Sequence, residues 1–530
     1  MRNPFILIGT LLFLVMPSEH LSAQPTAKGI VYADINKNGL KDRKEKGITN
    51  VAVSNGKEVA LTNAKGEYTL PISNDNILFV IKPSEYAVPL NENNQPRFFY
   101  YHKPNGSPGL QYTGILPTGA LPESVDFPLL PSAAKDSFRM LVFGDPQTYS
   151  MEEIKFFHEG IISELKDVKD VDMGLSLGDL VGDNLDLHLP YIRALKDVGI
   201  PWYNAMGNHD ENYDAKADSL SDESFEKNFG PATYSFNHGM AHIIVLDDIL
   251  YPDPRDGRDY WGGFRKDQLA FIENDLRFVP KDRLIILAFH IPLYENTGED
   301  SFRDEDRLKL FELLRDYPHT LTISAHSHAQ NQYFFAAADG WLQEKRHHQY
   351  NVGTTCGSWY SGRLDANGIP VSTMHDGTPK GYAFLNINKN NYTFDYKVAG
   401  KPAEYYFEIY APKVVEQNKV TSAGIYANFF IGSANDTLYC RVDKGNWQVM
   451  IQTKDYDPSY LHLLHEWDYS DTLLDGRRPP DPETCSHLWR CSIPTYLPAG
   501  EHTIEIKARD MFGRTLTQKS SYRIASRLLF

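Results

Sequence analysis

The chain has 530 residues, with 53 Lys and Arg against 69 Asp and Glu, for a formal net charge of −16. Its 42% hydrophobic content is enough to build several cores, which excludes an intrinsically disordered chain. Four cysteines are too few for a disulfide-stapled miniprotein, and the acidic balance argues against a nonspecific nucleic-acid binder, since it repels phosphate backbones.

Residues 1–23 read as a signal peptide. Arg2 gives a positive start, and Phe5–Met16 is an uncharged apolar run shorter than the roughly 20 residues of a bilayer span. No later stretch is long and apolar enough to cross a membrane, so the mature protein is expected to be periplasmic or secreted. That compartment permits disulfides. Cys485 and Cys491 are close enough in sequence to pair, whereas Cys356 and Cys440 have no evident partner.

Residues 24–131 read as an N-terminal β-sandwich module, with strands expected at Lys28–Ala33, Val51–Ser54 and Glu67–Ile72 between Asn/Gly turns. Asp34 opens a stretch that fits the twelve-residue calcium loop. Asp34, Asn36, Asn38, Asp42 and Glu45 fall on ligand positions, and Gly39 falls on the turn. The flanks read as strands rather than helices, so calcium would serve a structural role and no EF-hand is expected. The plainer alternative is an Asn/Gly turn with solvated charges.

Pro131–Lys135 reads as a linker, and residues 132–400 alternate strand and helix. Strands are expected at Phe138–Phe143, Val171–Leu177, Trp202–Met206, Leu284–Phe289 and Leu321–Ser324. Helices are expected at Met151–Lys166, Leu187–Val198 and Asp304–Asp316. Residues 401–530 return to short strands, including Ala427–Ile431, Thr437–Val442, Trp447–Ile451 and Thr503–Ala508. They read as an Ig-like β-sandwich.

The chemistry lies in the middle region. Five apolar strands are each followed by polar ligand-type residues: Asp145 and Gln147, Asp179, Asn208 and His209, His290, and His326 and His328. Open α/β sheets place ligands at the carboxyl ends of their strands. A crescent of such ends can hold two divalent cations about 3.5–4 Å apart, with a carboxylate bridging them. The mixed oxygen and nitrogen donors suit Mn, Fe or Zn better than Mg or Ca. Each piece alone is common in turns; the ordered set is what points to a dinuclear site.

In these residues the sequence resembles the calcineurin-like metallophosphoesterase family. Asp145-Pro146-Gln147, Gly178-Asp179, Gly207-Asn208-His209-Asp210, His290 and Ala325-His326-Ser327-His328 occur in the family's order, over roughly the central half of the chain. The resemblance implies a four-layered α-β-β-α core. It implies one metal held by Asp145, Gln147, Asp179 and His328, and a second held by Asp179, Asn208, His290 and His326, with Asp179 bridging. Hydroxide formed from a bridging water would attack a phosphoester, and His209 would stabilise the leaving oxygen or the phosphoryl charge.

Three positions depart from the usual pattern. Gln147 stands where many members have His, which implies a looser first metal site that leans toward Mn. Gly182 stands where many have the Asp that orients the catalytic His, leaving Asp183 or another acid to reach His209. Ala325 replaces a Gly, a small change. Trp359 and His348 are the candidates for a substrate pocket. The leading reading is an exported phosphoesterase that takes a phosphoester as partner and no nucleic acid. The alternative keeps the fold as a catalytically weakened binding or adhesion protein.

Overall fold

Two sheets of largely buried strands lie face to face at the centre of the computed structural model, which describes residues 25–166, 168–295 and 300–526. The signal-peptide reading of residues 1–23 falls outside these. The first sheet runs in the order Trp202–Ala205, Met173–Leu177, Ser137–Phe143, Gly381–Asn388, Asn391–Val398. Its first three strands are parallel, and the last two form an antiparallel hairpin. The second sheet runs Tyr234–His238, Ala241–Val245, Leu284–Ala288, Thr320–Ser324, His347–Asn351, Asn331–Phe335. Its four inner strands are parallel, and each edge strand is antiparallel.

Alternation along one strand sets the layers. In Ser137–Phe143, Met140 and Val142 face the second sheet, while Leu141 and Phe143 face a separate core shared with the helices Met151–Phe157 and His188–Leu195. On the far side, Phe271 and Ile272 of Lys266–Leu276 and Leu310 and Phe311 of Asp304–Leu314 cover the second sheet. The layers therefore run helix, sheet, sheet, helix. Parallel strands covered on both faces read as continuous apolar runs, and Leu284–Ala288 and Thr320–Ser324 are buried at every position.

Most expected elements form, within a residue or two of their expected ends. The helix expected over Met151–Lys166 is interrupted by a π-helical turn at His158–Ile162. The helices Glu223–Phe229, Lys266–Leu276 and Pro458–Asp468 were not anticipated. The strand expected over Trp447–Ile451 breaks at Met450, whose side chain is buried. Gln448–Val449 and Ile451–Tyr456 consequently join different sheets.

Residues 25–131 carry two four-stranded sheets, one containing Thr26–Ala33 and the other Asn76–Ile81. They pack directly on the core. Phe79 meets Phe271 with ring centroids 5.6 Å apart, Phe98 meets Tyr234 at 5.1 Å, and Lys103 pairs with both Glu223 and Glu226 at 2.7 Å. The C-terminal region holds a four-stranded and a five-stranded sheet. Here the structure corrects the cysteine pairing. Cys485 and Cys491 lie on the same strand, Thr484–Ser492, about 20 Å apart at ~3.3 Å per residue. Cys491 instead meets the thiol of Cys440 on the other sheet, and all four cysteines are free.

Candidate metal centre

Parallel strands put their carboxyl ends on one side, so five loops from two sheets meet there. Five of the seven ligand-type residues adopt left-handed backbone: Asp145, Gln147, Asp179, His326 and His328, with φ of 37°, 36°, 48°, 72° and 47°. Non-glycine residues rarely sit there, and such strain concentrates where surrounding structure dictates a side chain's aim. Hydrogen bonds between the loops enforce it. Gln147 N donates to the Asp179 carbonyl at 2.7 Å, Ala325 N to the His290 carbonyl at 2.9 Å, and His326 N to Asp145 Oδ2 at 3.1 Å. Asp210 accepts from the amides of Leu180, Val181 and Gly207, which ties the Asp179 and Asn208 loops together. Gly207 must be glycine, because a Cβ there would lie 2.1 Å from Asp179 N.

The two oxygens of Asp179 face different partners. On one side, Oδ1 lies 3.3 Å from His290 Nε2. The same Nε2 is 3.1 Å from Asn208 Oδ1 and 3.1 Å from His326 Nδ1. His290 Nδ1 donates to the Leu177 carbonyl at 2.8 Å, so in a neutral ring Nε2 carries a lone pair. With Nδ1 of His326 unprotonated as well, four acceptor atoms converge here, and a divalent cation would satisfy them together. The ligand atoms of Asp179, His290 and His326 all lie within 4.8 Å of one another. Burial opposes charge on His290, yet with no cation present Asp179 and Asp145 push its pKa up to about 10. His326 is held neutral, burial and the neighbouring His290 lowering it to about 3.

On the other side, Asp179 Oδ2 accepts from Gln147 Nε2 at 3.2 Å. His328 Nδ1 donates to the Gly357 carbonyl at 2.8 Å, which leaves Nε2 free toward Asp145 Oδ1 at 3.7 Å. Burial lowers His328 to about 3, so this ring is neutral as well. Asp145 Oδ1 and Gln147 Oε1 are buried without any hydrogen-bond partner. Orphaned buried acceptors are costly, and a divalent ion would satisfy both. On both sides the residues present fit a cation.

Asp183 reaches His209, as the sequence implied, with Oδ1 2.6 Å from Nδ1. Burial opposes charge on His209, but Asp179 and Asp183 together push it up to about 9. The reason for the shift from position 182 lies in Tyr149. Its ring lies over Gly182 and meets His209 edge-on at 6.0 Å. Tyr149 is one of three neighbours that the sequence reading missed. The others are Tyr260, edge-on to His326 at 5.9 Å, and Asp248, which accepts from the amides of His290 and Ile291. An aromatic or acid in a loop carries no pattern that would have marked it.

The remaining candidates divide. Trp359 is half-buried and stacks on His328 with centroids 4.3 Å apart, so it borders the site. His348 does not. It is buried near the start of its strand, bonded to Tyr392 Oη and Gln332 Oε1 at 3.0 Å each and stacked on Phe334. Cys356 Sγ comes within 3.9 Å of His328 Nδ1, but burial holds the thiol protonated. The loop residue Asp376 is buried against His487 of the C-terminal region at 3.0 Å, so this loop clamps two parts together. In the N-terminal loop, Asn36 and Asn38 both donate to Asp42, and Glu45 accepts from the amides of Ile35 and Asp42. The five residues therefore share one turn.

The calcineurin-like phosphoesterase family model matches residues 138–330. The model for the N terminal of calcineurin-like phosphoesterase matches residues 35–111, and that for its C terminal matches residues 349–516. No curated protein sequence matches the chain. Among solved structures it is similar to a dimetal phosphatase from Danio rerio, at 12% identity over 49% of this chain and 95% of that one, TM-score 0.35. A purple acid phosphatase from yellow lupin seeds matches at 12% identity over 71% and 73%, TM-score 0.36. GAP50, the anchor in the inner membrane complex of Plasmodium, matches at 19% over 50% and 86%, TM-score 0.30.

Proposed function

Because this chain belongs to the calcineurin-like phosphoesterase family, we propose that it hydrolyses phosphoesters at two divalent ions held on either side of Asp179. The observation that carries this reading is the convergence of lone pairs from Asp179, Asn208, His290 and His326, beside the orphaned Asp145 Oδ1 and Gln147 Oε1. Asp145, Gln147, Asp179 and His328 would hold one ion, and Asp179, Asn208, His290 and His326 the other. When bound, such ions supply Lewis acidity that activates water and draws charge from phosphoryl oxygens. The donor set contains oxygen and nitrogen and no thiolate, which suits Mn, Fe or Zn.

The protein's own groups do the rest. The carbonyls of Leu177 and Gly357 fix the tautomers of His290 and His328 and aim their Nε2 atoms inward. Asp183 holds Nδ1 of His209, which leaves Nε2 free, 4.0 Å from Asp179 Oδ2. A protonated His209 would donate from Nε2 to the leaving oxygen or a phosphoryl oxygen. The departure at Gly182 lends nothing to the decayed-site alternative, since Asp183 occupies the orienting role. The export reading rests on residues 1–23, whose charged start and apolar run suit a signal peptide.

The test is elemental analysis of the purified protein together with turnover of mono- and bis-(p-nitrophenyl) phosphate under added Mn, Fe or Zn. Bound transition ion and turnover are expected, with turnover lost in Asn208→Ala and His209→Ala. Protein that retains no ion at any concentration and turns over neither ester would end the reading.

A further inference from the structure

Cys440 lies on the strand Thr437–Val442 and Cys491 on Thr484–Ser492, in different sheets of the C-terminal region. Alternation turns both side chains toward the space between the sheets. Leu438, Cys440 and Val442 are buried, and the residues between them are not. On the other strand Cys485, His487 and Trp489 are buried, and Cys491 comes next on that face, packed on the core that contains Cys440.

The chain itself ties the two positions to one corner of the paired sheets. Cys440 pairs in register with Gln448, and Ile451 pairs with Arg490, the residue before Cys491. The steps from Gln448 to Ile451 span ~11 Å at most. They cross from one sheet to the other through buried Met450, whose amide donates to the Leu438 carbonyl at 2.9 Å. There the Cys440 thiol donates to the Cys491 sulfur, which holds Cys491 below the usual thiol pKa. Cys491 is partly exposed and Cys440 is buried, so a reagent meets Cys491 first. Among the described residues, neither cysteine belongs to a group of three or more His, Cys, Asp or Glu side chains close enough to share an ion, so the pair is not part of a metal site.

We propose that Cys440 and Cys491 form an oxidation site that closes to a disulfide joining the two C-terminal sheets. The oxidant is itself a disulfide, such as oxidised glutathione. The Cys491 thiolate attacks one of its sulfurs, which forms a mixed disulfide and releases the first thiol. Cys440 then gives up its proton and attacks the Cys491 sulfur, and the second thiol leaves. The pair loses two electrons and two protons, and the oxidant's S–S bond becomes two S–H bonds. The closed loop holds the helix Pro458–Asp468 and His487, the partner of Asp376, so the link restrains the segment that fastens this region to the core. The proposal is independent of the phosphoesterase reading.

The test incubates the purified full-length protein with oxidised glutathione, blocks the remaining thiols with N-ethylmaleimide in denaturant, and maps the peptides by mass spectrometry. Blocked Cys356 and Cys485 and a linked Cys440–Cys491 peptide pair are expected, against blocking of all four cysteines in protein first reduced. The thermal midpoint of the oxidised protein should lie about 5 °C or more above that of the reduced protein, and Cys491→Ser should abolish the difference. Four blocked thiols after oxidation, glutathione left on Cys491, or a Cys485–Cys491 link would overturn the site. So would a midpoint that oxidation leaves unchanged, or one that rises equally in Cys491→Ser. The peptide map needs no variant, so it decides the pairing even where Cys491→Ser fails to fold.

Discussion

The ring of Tyr149 lies over Gly182 so closely that a Cβ on the glycine would come within 2.5 Å of the ring carbons. One aromatic side chain thus occupies the room that a longer residue at position 182 would need, and the carboxylate that orients His209 comes from the next position. Gly182→Asp is expected to destabilise the protein by about 1–3 kcal/mol through overpacking. Adding Tyr149→Ala should recover much of that loss. Thermal midpoints of the two variants check this; an unchanged midpoint in Gly182→Asp would mean that the ring moves aside freely.

Asp183 is bonded to His209 at 2.6 Å and also to Tyr213, whose hydroxyl donates to the Asn208 carbonyl. Asp183→Asn should lower kcat about 10–100-fold, the usual cost of losing a partner that orients a functional imidazole and less than the loss of the acid itself. Bound metal and thermal midpoint should stay unchanged, because Asp183 touches none of the seven ligand-type side chains and is half exposed. Metal loss in this variant would place Asp183 in the ligand set instead.

Gln147 is the weakest of the ligand-type donors, an amide oxygen where an imidazole would bind a borderline ion more tightly. Gln147→His should therefore slow the loss of one of two metal equivalents to a chelator. The other equivalent should leave at the wild-type rate. Timed elemental analysis after chelator addition reads both.

Asp457 caps the helix Pro458–Asp468, accepting from the amides of Ser459 and Tyr460 and from Asn428 Nδ2. Burial pushes its pKa up from 3.8 to about 6 in spite of these donors. The folded state therefore holds the proton more tightly than the unfolded chain, so this group's contribution to stability falls as pH rises from about 4 to about 6 and is flat above. Asp457→Asn, which keeps a capping oxygen, should flatten that slope. Thermal midpoints at pH 4.5 and pH 7 for both forms measure it.

The ligand-type residues were legible because a dinuclear site demands particular side chains at particular strand ends, and the strands announce themselves as apolar runs. What the sequence hid was three-dimensional. Tyr149, Tyr260 and Asp248 sit in loops with no periodicity to mark them. His348 has the residue type of a ligand, but it lies near the start of its strand, while the site lies at the other end. Cys440 and Cys491 meet because two sheets face each other, which no spacing along the chain encodes. Met450 turns inward and splits an apolar run that read as one strand.

Lys103 is nearly inaccessible, with Asp75, Glu223 and Glu226 as its salt-bridge partners. A chain cut back to the linker would remove Lys103 together with Ser107, which bonds Glu223, and would leave both carboxylates on a newly exposed surface without their countercharge. It would also uncover Phe271 and Tyr234, on which Phe79 and Phe98 rest. A shortened version would thus measure the injury done to what remains, and the leading segment can be exchanged between proteins only together with the surface it neutralises.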